Sequence, residues 1–93
     1  MRRIERATAF KRDYEKTKAL FRYRDLDKRL TLVLQLLVDD RSLPPRNRDH
    51  ALSGSWSGYR DCHLWPDLLR IYSKPLPEVL RLVRLGSHSE LFE

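Results

Sequence analysis

Apolar residues between positions 26 and 37 recur with the period of an α-helix. They are separated by four, three, one and three positions, which places all of them on one helical face. The members of this stripe are Leu26, Leu30, Val33, Leu34 and Leu37. Asp25 or Asp27 can cap the helix at its start, and the pattern ends at Asp39 and Asp40. We therefore expect a helix here, with Leu30 and Leu34 in the core.

An earlier stretch has a second helical pattern, with aromatic anchors and a basic opposite face. Its anchoring side consists of Phe10, Tyr14, Thr17 and Phe21. Thr8 is a candidate N-cap for this helix. Because one or two residues around Arg24 and Asp25 separate the two patterns, we expect the helices to form an antiparallel hairpin or a bent pair. Residues 1–8, anchored by Ile4, are expected to form an edge strand.

Beyond residue 40 the residue types change to those of strands and turns. Residues 41–49 predict a polar loop, because a helix cannot cross the adjacent Pro44 and Pro45. Residues 54–58 predict a bend, and three strands are expected over residues 59–65, 68–73 and 78–85. The short turns between these strands imply antiparallel pairing. Residues 89–92 can form a last helical turn or an extended tail.

The resulting element order is β-α-α-β-β-β. It predicts an α+β fold in which an antiparallel sheet packs against two N-terminal helices that cover one of its faces. The chain has 93 residues, a length that suits one compact domain, residues 1–93.

Composition narrows the class of protein. With 41% hydrophobic and 34% charged residues, the chain is too apolar for a disordered tail and too polar for a membrane protein. Its longest apolar-rich stretch, residues 30–38, falls short of the roughly 20 residues that span a bilayer. No signal peptide is expected. One cysteine, Cys62, cannot close an intrachain disulfide, which suits the cytoplasm.

The positive charge is concentrated in the first third of the chain. Residues 1–30 contain eleven basic and five acidic side chains, whereas the basic and acidic side chains of residues 31–93 balance. This asymmetry indicates either a polyanionic or acidic partner on that side, or a solvated helix face that keeps a small protein soluble. Charge alone does not separate the two.

The candidate chemistry lies in the second half, which contains all three histidines, His50, His63 and His88. Asp61 precedes His63 by two positions, so on a strand their side chains share a face, together with those of Tyr59 and Trp65. Asp67 begins the next strand, within reach of His63 across the turn. Three imidazoles and two carboxylates can therefore converge at one end or face of the sheet.

Such a group suits metal-independent cleavage of RNA by its own 2′-hydroxyl. One imidazole removes the 2′ proton and another protonates the departing 5′ oxygen. Phe92 can stack on a base and hold the strand. Each residue also has a structural alternative. Cys62 and the tryptophans Trp56 and Trp65 are more typical of packing, and metal binding is a weak competitor because the chain has no CxxC or HExxH spacing.

The order of these residues resembles a known toxin motif. The run from Asp49 to His63, DHALSGSWSGYRDCH, is similar to that of YafQ-type toxins, a branch of the RelE/ParE superfamily of bacterial toxin–antitoxin modules. The resemblance continues through Pro66 and Asp67, then Ile71 and Tyr72, and ends in GSHSELF at residues 86–92. It is dense over the last half of the chain.

The resemblance implies a β-α-α-β-β-β fold and a metal-independent endoribonuclease without cofactors. Such a toxin cuts mRNA in the A site of the 70S ribosome and thereby inhibits translation. His50, His63, Asp67 and His88 would form its catalytic group, supported by Asp61, with Phe92 contacting the RNA. The basic helical third would contact ribosomal RNA, and a small antitoxin of the ribbon-helix-helix type would block the toxin.

Two alternatives belong to other functional classes. A ParE-like toxin of the same fold acts on a protein target such as DNA gyrase, a mode with no evident use for three histidines. A nucleic-acid-binding module without chemistry would depend on lysines and arginines and would tolerate the loss of His50 and His88.

Overall fold

The computed structural model describes residues 1–92. Its strands are β1 (Arg3–Arg6), β2 (His50–Ala51), β3 (Arg60–Trp65), β4 (Leu68–Ser73) and β5 (Val79–Gly86). Its helices are α1 (Thr8–Lys18), α2 (Leu26–Val38) and α3 (His88–Phe92). Short 3-10 turns lie at Phe21–Tyr23, Pro45–Asn47 and Gly54–Trp56.

The five strands form one sheet in the order β1-β5-β4-β3-β2. Strands β3, β4 and β5 pair antiparallel, as their short turns predict. The predicted N-terminal edge strand is confirmed, and it runs parallel to β5, with Ile4 opposite Leu80. The opposite edge is β2, a two-residue strand that the sequence pattern does not predict, with His50 opposite Asp61. The predicted α+β fold is confirmed.

Helix α2 confirms the apolar stripe except at one position. Leu26, Leu30, Val33 and Leu37 are buried. Leu34 is only half-buried, because it borders an open groove between α1 and α2 that Phe10 and Tyr14 also line. Leu34 still packs against the core from its edge, so the expectation that it lies in the core is confirmed only in part.

The start of α1 and the connection to α2 differ from the expectation. Thr8 is the first residue of α1, and the cap position is Ala7. The chain leaves the helix after Lys18, and Leu20 adopts an extended backbone conformation that interrupts the helical period. As a result Phe21 is 78% exposed, and Tyr23 enters the core in its place. Residues 19–25 connect the helices, rather than one or two.

The expected capping of α2 by an aspartate side chain is also absent. Asp25 occupies the cap position, but its side chain makes no capping hydrogen bond within residues 1–92. Asp27, in the first turn, instead accepts a hydrogen bond from the hydroxyl of Tyr14 on α1. This bond ties the first turn of α2 to α1.

The two faces of the sheet are covered unequally. The helix-covered face carries the main core, in which α2 packs on Cys62, Leu64, Tyr72, Leu80, Leu82 and Leu85. The other face, the open face, carries a small cluster around Leu69, Ile71 and Leu91. Cys62 is fully buried on the helix-covered face, as expected for a small apolar side chain.

Trp65 does not share the face of Asp61 and His63, contrary to the expectation from simple alternation. The register between β3 and β4 shifts between His63 and Trp65, a bulge that reverses the direction of the following side chain. The Trp65 ring packs edge-on against Tyr23 at 5.0 Å, and the Arg29 guanidinium lies 4.1 Å from its centre. None of the helices in residues 1–92 has the length and apolarity to cross a membrane.

Candidate active site

Asp61 is the centre of the polar group on the open face. It is 2% exposed, although it lies opposite the edge residue His50 in the sheet. His50 Nε2 lies 3.8 Å from Asp61 Oδ2, and His63 Nε2 lies 3.9 Å from Asp61 Oδ1. Both distances exceed a hydrogen bond and allow an ion pair when the imidazole is protonated. The structure therefore confirms that Asp61, His50 and His63 converge, as predicted.

Burial and the neighbouring histidines have opposite effects on the pKa of Asp61. Burial raises the pKa of the carboxyl, because the charged form loses water. The positive charges of His50, His63 and His88 act in the opposite direction and lower it. All three imidazoles are thus close enough to interact with one buried carboxylate.

His50 is held in a defined orientation. Its Nδ1 lies 2.8 Å from the carbonyl oxygen of Arg48, so Nδ1–H donates and the neutral ring carries its lone pair on Nε2. The side chain is 53% exposed. His50 therefore presents a basic nitrogen that solvent and a ligand can reach.

His63 is more enclosed, with a side chain that is 15% exposed. Neither its buried Nδ1 nor Asp61 Oδ1 makes a hydrogen bond to another group in residues 1–92. The main chain of His63 is tied to the preceding loop, because Asn47 Nδ2 donates to the His63 carbonyl at 2.7 Å. This bond connects β3 to the segment that leads into His50.

Helix α3 brings His88 and Phe92 to the open face. The Ser87 hydroxyl accepts a bond from the Glu90 N–H at 3.2 Å, and Glu90 Oε1 accepts from the Ser87 N–H at 2.8 Å. This reciprocal pair is a capping box, and it fixes the start of a five-residue helix. A Cβ at Gly86 would lie 3.1 Å from Glu90 Oε1, so glycine permits the close turn.

An aromatic row follows from α3 across the open face. The His88 and Phe92 ring centres lie 5.0 Å apart. Trp56 packs edge-on against Phe92 at 6.3 Å and against Tyr59 at 5.3 Å. Trp56 thus has the packing role that the sequence favours, and it supports the ring of Phe92 beside the imidazoles.

Asp67 contacts the segment between α1 and α2. Its carboxylate, in the turn between β3 and β4, accepts a hydrogen bond from Arg22. Burial and, after it, the nearby Asp67 carboxylate raise the pKa of the Tyr23 hydroxyl. His63 instead faces Asp61. The predicted pairing of Asp67 with His63 is not among the contacts of residues 1–92, and a catalytic role for Asp67 stays a prediction.

Two features of the site were not predicted from the sequence. The capping box has a recognisable signal, Ser87-x-x-Glu90. The second feature is a polar contact beside His50, in which Asp49 accepts hydrogen bonds from Tyr72 and Arg60. No local sequence pattern indicates this contact, because its members come from three strands or the residues next to them. Within residues 1–92 no group of three or more His, Cys, Asp or Glu side chains is arranged to hold a metal ion.

Comparison with known proteins matches the chain over nearly its whole length. Residues 2–93 match the family described as bacterial toxin of type II toxin–antitoxin system, YafQ. The chain belongs to this family. A family member from Escherichia coli strain K12, named mRNA interferase toxin YafQ, is 38% identical over 91 residues that cover 96% of this chain and 98% of the relative.

Solved structures of the family share the fold. The E. coli DinJ–YafQ complex contains a chain that is 35% identical, with a TM-score of 0.84 and complete coverage of both chains. A metal-bound toxin from Helicobacter pylori is 41% identical with a TM-score of 0.83, over 99% of this chain and 100% of its own. The family suggested by the DHALSGSWSGYRDCH motif and its YafQ-like fold are thus confirmed.

Proposed function

We propose that this YafQ-family toxin is an endoribonuclease that cleaves mRNA on the ribosome and so inhibits translation. The observation that carries the proposal is the buried Asp61 carboxylate with His50 and His63 within 4 Å of its oxygens, and with the charge of His88 acting on it. The family relative named mRNA interferase supports the same activity. RNA cleavage through the 2′-hydroxyl needs one group that takes a proton and another that gives one.

His50 and His88 are the proposed acid–base pair. Both are exposed, and both lie on the open face where a nucleotide can approach. One imidazole takes the 2′ proton as the 2′ oxygen attacks phosphorus; the other gives a proton to the 5′ oxygen as the phosphorus–oxygen bond breaks. The products are a 2′,3′-cyclic phosphate and a free 5′-hydroxyl. Because both rings interact with Asp61, their titrations are coupled. Base and acid are therefore roles of the pair, and neither role is assigned to one named histidine.

His63 and Asp61 are proposed to support this pair. The negative charge of the Asp61 carboxylate stabilises a positively charged imidazole ring that faces it. When the ring is neutral, the buried carboxylate has less positive charge nearby to offset its own. Asp61 is therefore proposed to stabilise the imidazolium that forms during the reaction, and His63 is proposed to act as a third imidazole beside the same carboxylate. This arrangement stabilises charge in the transition state without a metal ion.

Phe92 is proposed to contact the RNA, held by Trp56 behind it. Base stacking on an aromatic ring contributes about 1–3 kcal/mol per base and tolerates any sequence. Asp67 is exposed beside Arg22 and is proposed to act on the substrate side of the site. The basic side chains of residues 1–30 are proposed to contact ribosomal RNA.

An antitoxin is the proposed protein partner, because the E. coli relative forms a DinJ–YafQ complex. We propose a partner with a ribbon-helix-helix DNA-binding part and a bacterial cytoplasm as the compartment in which toxin, antitoxin and ribosome meet. The metal-bound H. pylori relative makes metal dependence a point to test directly.

The decisive experiment expresses the toxin in bacterial cells and maps an abundant mRNA by primer extension. The parent is expected to arrest growth and give discrete cuts in the coding region. His88→Ala is expected to lose these cuts by a factor of about 10²–10⁴ while keeping its fold. His63→Gln and His50→Gln test the neighbouring rings in the same way.

Three controls separate the alternatives. Blocking translation should remove the cuts if cleavage needs the ribosome. Toxin that has been treated with EDTA and then desalted should cut mRNA on purified ribosomes as fast as untreated toxin, because this treatment strips metal from the toxin and leaves the Mg²⁺ that ribosomes need. Growth arrest with intact mRNA and inhibited DNA supercoiling would contradict the proposal and favour a ParE-like protein target, and unchanged phenotypes of the histidine variants would favour a binding module.

A further inference from the structure

The segment that carries His50 has little regular structure of its own. Strand β2 has only two residues, His50 and Ala51. Arg48, two residues before His50, has a φ of 47°, in the left-handed region that a non-glycine residue adopts only when its surroundings impose it. The Arg48 N–H closes the preceding 3-10 turn on the Pro45 carbonyl, and contacts from other strands add to this local bond.

The side chain of Asp49 makes that contact. Tyr72 donates its hydroxyl to Asp49 Oδ1 at 2.5 Å, and Arg60 Nε donates to the same oxygen at 3.3 Å. Tyr72 is 1% exposed in the centre of the sheet. Asp49, the residue next to His50, is thus bonded to a side chain in the buried centre of the sheet.

The strand register explains why this contact can orient His50 without touching it. His50 lies opposite Asp61, whereas Ala51 lies opposite Arg60, which in turn lies opposite Tyr72. Alternation then places the His50 and Asp61 side chains on the open face and those of Arg60 and Tyr72 on the helix-covered face. Asp49 is consequently held from behind the sheet while the imidazole is presented in front.

We infer that Asp49, Tyr72 and Arg60 form a clamp that positions His50, a role that rests on the proposed cleavage activity. The clamp holds the main chain at residues 48–50 so that the Arg48 carbonyl accepts from His50 Nδ1–H. That bond leaves the lone pair of the neutral ring on Nε2, the nitrogen that faces Asp61. Tyr72 and Asp49 are positioning residues, since neither reaches the reacting atoms.

Both groups that bond to Asp49 keep the proton that they donate to its carboxylate. Burial and the neighbouring Asp49 carboxylate raise the pKa of the Tyr72 hydroxyl, so it keeps its proton and donates. The Asp49 carboxylate raises the pKa of Arg60, which remains charged. A neutral donor and a cationic donor thus converge on one oxygen of Asp49.

The test removes one hydroxyl and uses a matched tyrosine as its control. Tyr72→Phe deletes the clamp bond with almost no change in packing. Tyr14→Phe deletes a bond of the same kind, Tyr14 to Asp27, between α1 and α2 and away from the histidines. Both variants and the parent are compared by ribosome-dependent cleavage rate and by long-range ¹H–¹⁵N correlation spectra that report the tautomer of each histidine.

The expected result is a loss of about ten- to a hundredfold in kcat for Tyr72→Phe, with KM nearly unchanged, since a small misplacement of a reacting group has effects of this size. Its His50 spectrum should change from the Nδ1–H tautomer to a mixture. Tyr14→Phe should match the parent in both measurements, and circular dichroism should show all three folded.

Two results would overturn the clamp. One is parental cleavage and a parental His50 spectrum in Tyr72→Phe; the other is slower cleavage with an unchanged His50 tautomer, which would assign Tyr72 a role that does not pass through His50. A parent that cuts no RNA would contradict the proposed function instead, and the spectra would still decide whether Tyr72 orients His50.

Discussion

The two faces of the sheet are built by different means. The helix-covered face is made by long elements, with α2 laid over β3, β4 and β5, and its side chains are almost all apolar. The open face is completed by short elements, namely β2, a 3-10 turn and α3. It holds the buried Asp61 carboxylate with two exposed imidazoles, His50 and His88, and the more enclosed His63. The first face stabilises the fold, and the second carries the groups that can do chemistry. Substitutions on the two faces should therefore separate stability from activity.

Leu30→Ala on the helix-covered face should have the largest effect on stability. The side chain is buried in the core, so truncation should lower the free energy of unfolding by about 2–5 kcal/mol. Chemical denaturation of the variant measures this, with Leu32→Ala as the control, because Leu32 on the same helix is 55% exposed. Cleavage per folded molecule should stay at the parental level. If Leu30→Ala and Leu32→Ala lose the same free energy of unfolding, the assignment of the buried face of α2 is wrong.

Arg70→Leu should change stability in the opposite direction. Arg70 is fully buried on the helix-covered face, and its Nε and Nη1 have no hydrogen-bond partner within residues 1–92. Its Nη2 donates to Cys62 Sγ, a weak acceptor, at 3.6 Å, and the guanidinium lies 5.8 Å from the centre of the Tyr72 ring. Replacing a poorly compensated buried charge by an apolar side chain should raise the free energy of unfolding by about 1–4 kcal/mol. A lower melting temperature would mean that the guanidinium is stabilised by its surroundings.

Asp67→Asn tests whether the turn between β3 and β4 belongs to the chemical face. Its ion pair with Arg22 is exposed, so the variant should lose less than about 1 kcal/mol of stability. Arg22→Gln breaks the same pair from the other side and controls for the change in stability. A carboxylate that acts on the substrate predicts slower cleavage by Asp67→Asn than by the parent. Parental cleavage by Asp67→Asn would remove Asp67 from the site.

Glu90→Gln should have the smallest effect, and one that depends on pH. Bonds from the Ser87 N–H and from Lys16 lower the pKa of Glu90 from 4.5 to about 2. The ionised group therefore stabilises the fold above the unfolded pKa, and this contribution is lost as pH falls from about 4.5 to about 2. The difference in melting temperature between parent and variant should shrink over that interval.

Glu15→Gln, an exposed acid on α1, controls for the general loss of one negative charge. A gap between parent and Glu90→Gln that stays constant from pH 6 to pH 2 would contradict the capping role of Glu90 in α3.

The same division explains how far the sequence could predict the fold. The stripe of α2 and the strand at Leu68–Ser73 follow from periodicity, because long elements repeat their pattern. Phe21 fits the helical spacing but not the helix, since the extended Leu20 breaks the period. The parallel pairing of β1 with β5 joins distant parts of the chain, and no local pattern encodes it.

The site was predictable where it depends on strand alternation. Asp61 and His63 share a face because they are two residues apart, and the register brings His50 opposite Asp61. The bulge that turns Trp65 away and the ion pair between Arg22 and Asp67 arise from tertiary packing. The contact of Tyr72 with Asp49 likewise needs the assembled sheet.

The most direct test of the account is to replace the central carboxylate by its isosteric amide, Asp61→Asn, and to measure cleavage and thermal stability together. Burial disfavours the charged carboxylate, so the variant should be as stable as the parent or more stable. Its cleavage should fall by about 10²-fold or more, because the imidazoles lose the charge that couples them. Parental cleavage by Asp61→Asn would contradict the claim that this buried carboxylate organises the histidines for catalysis.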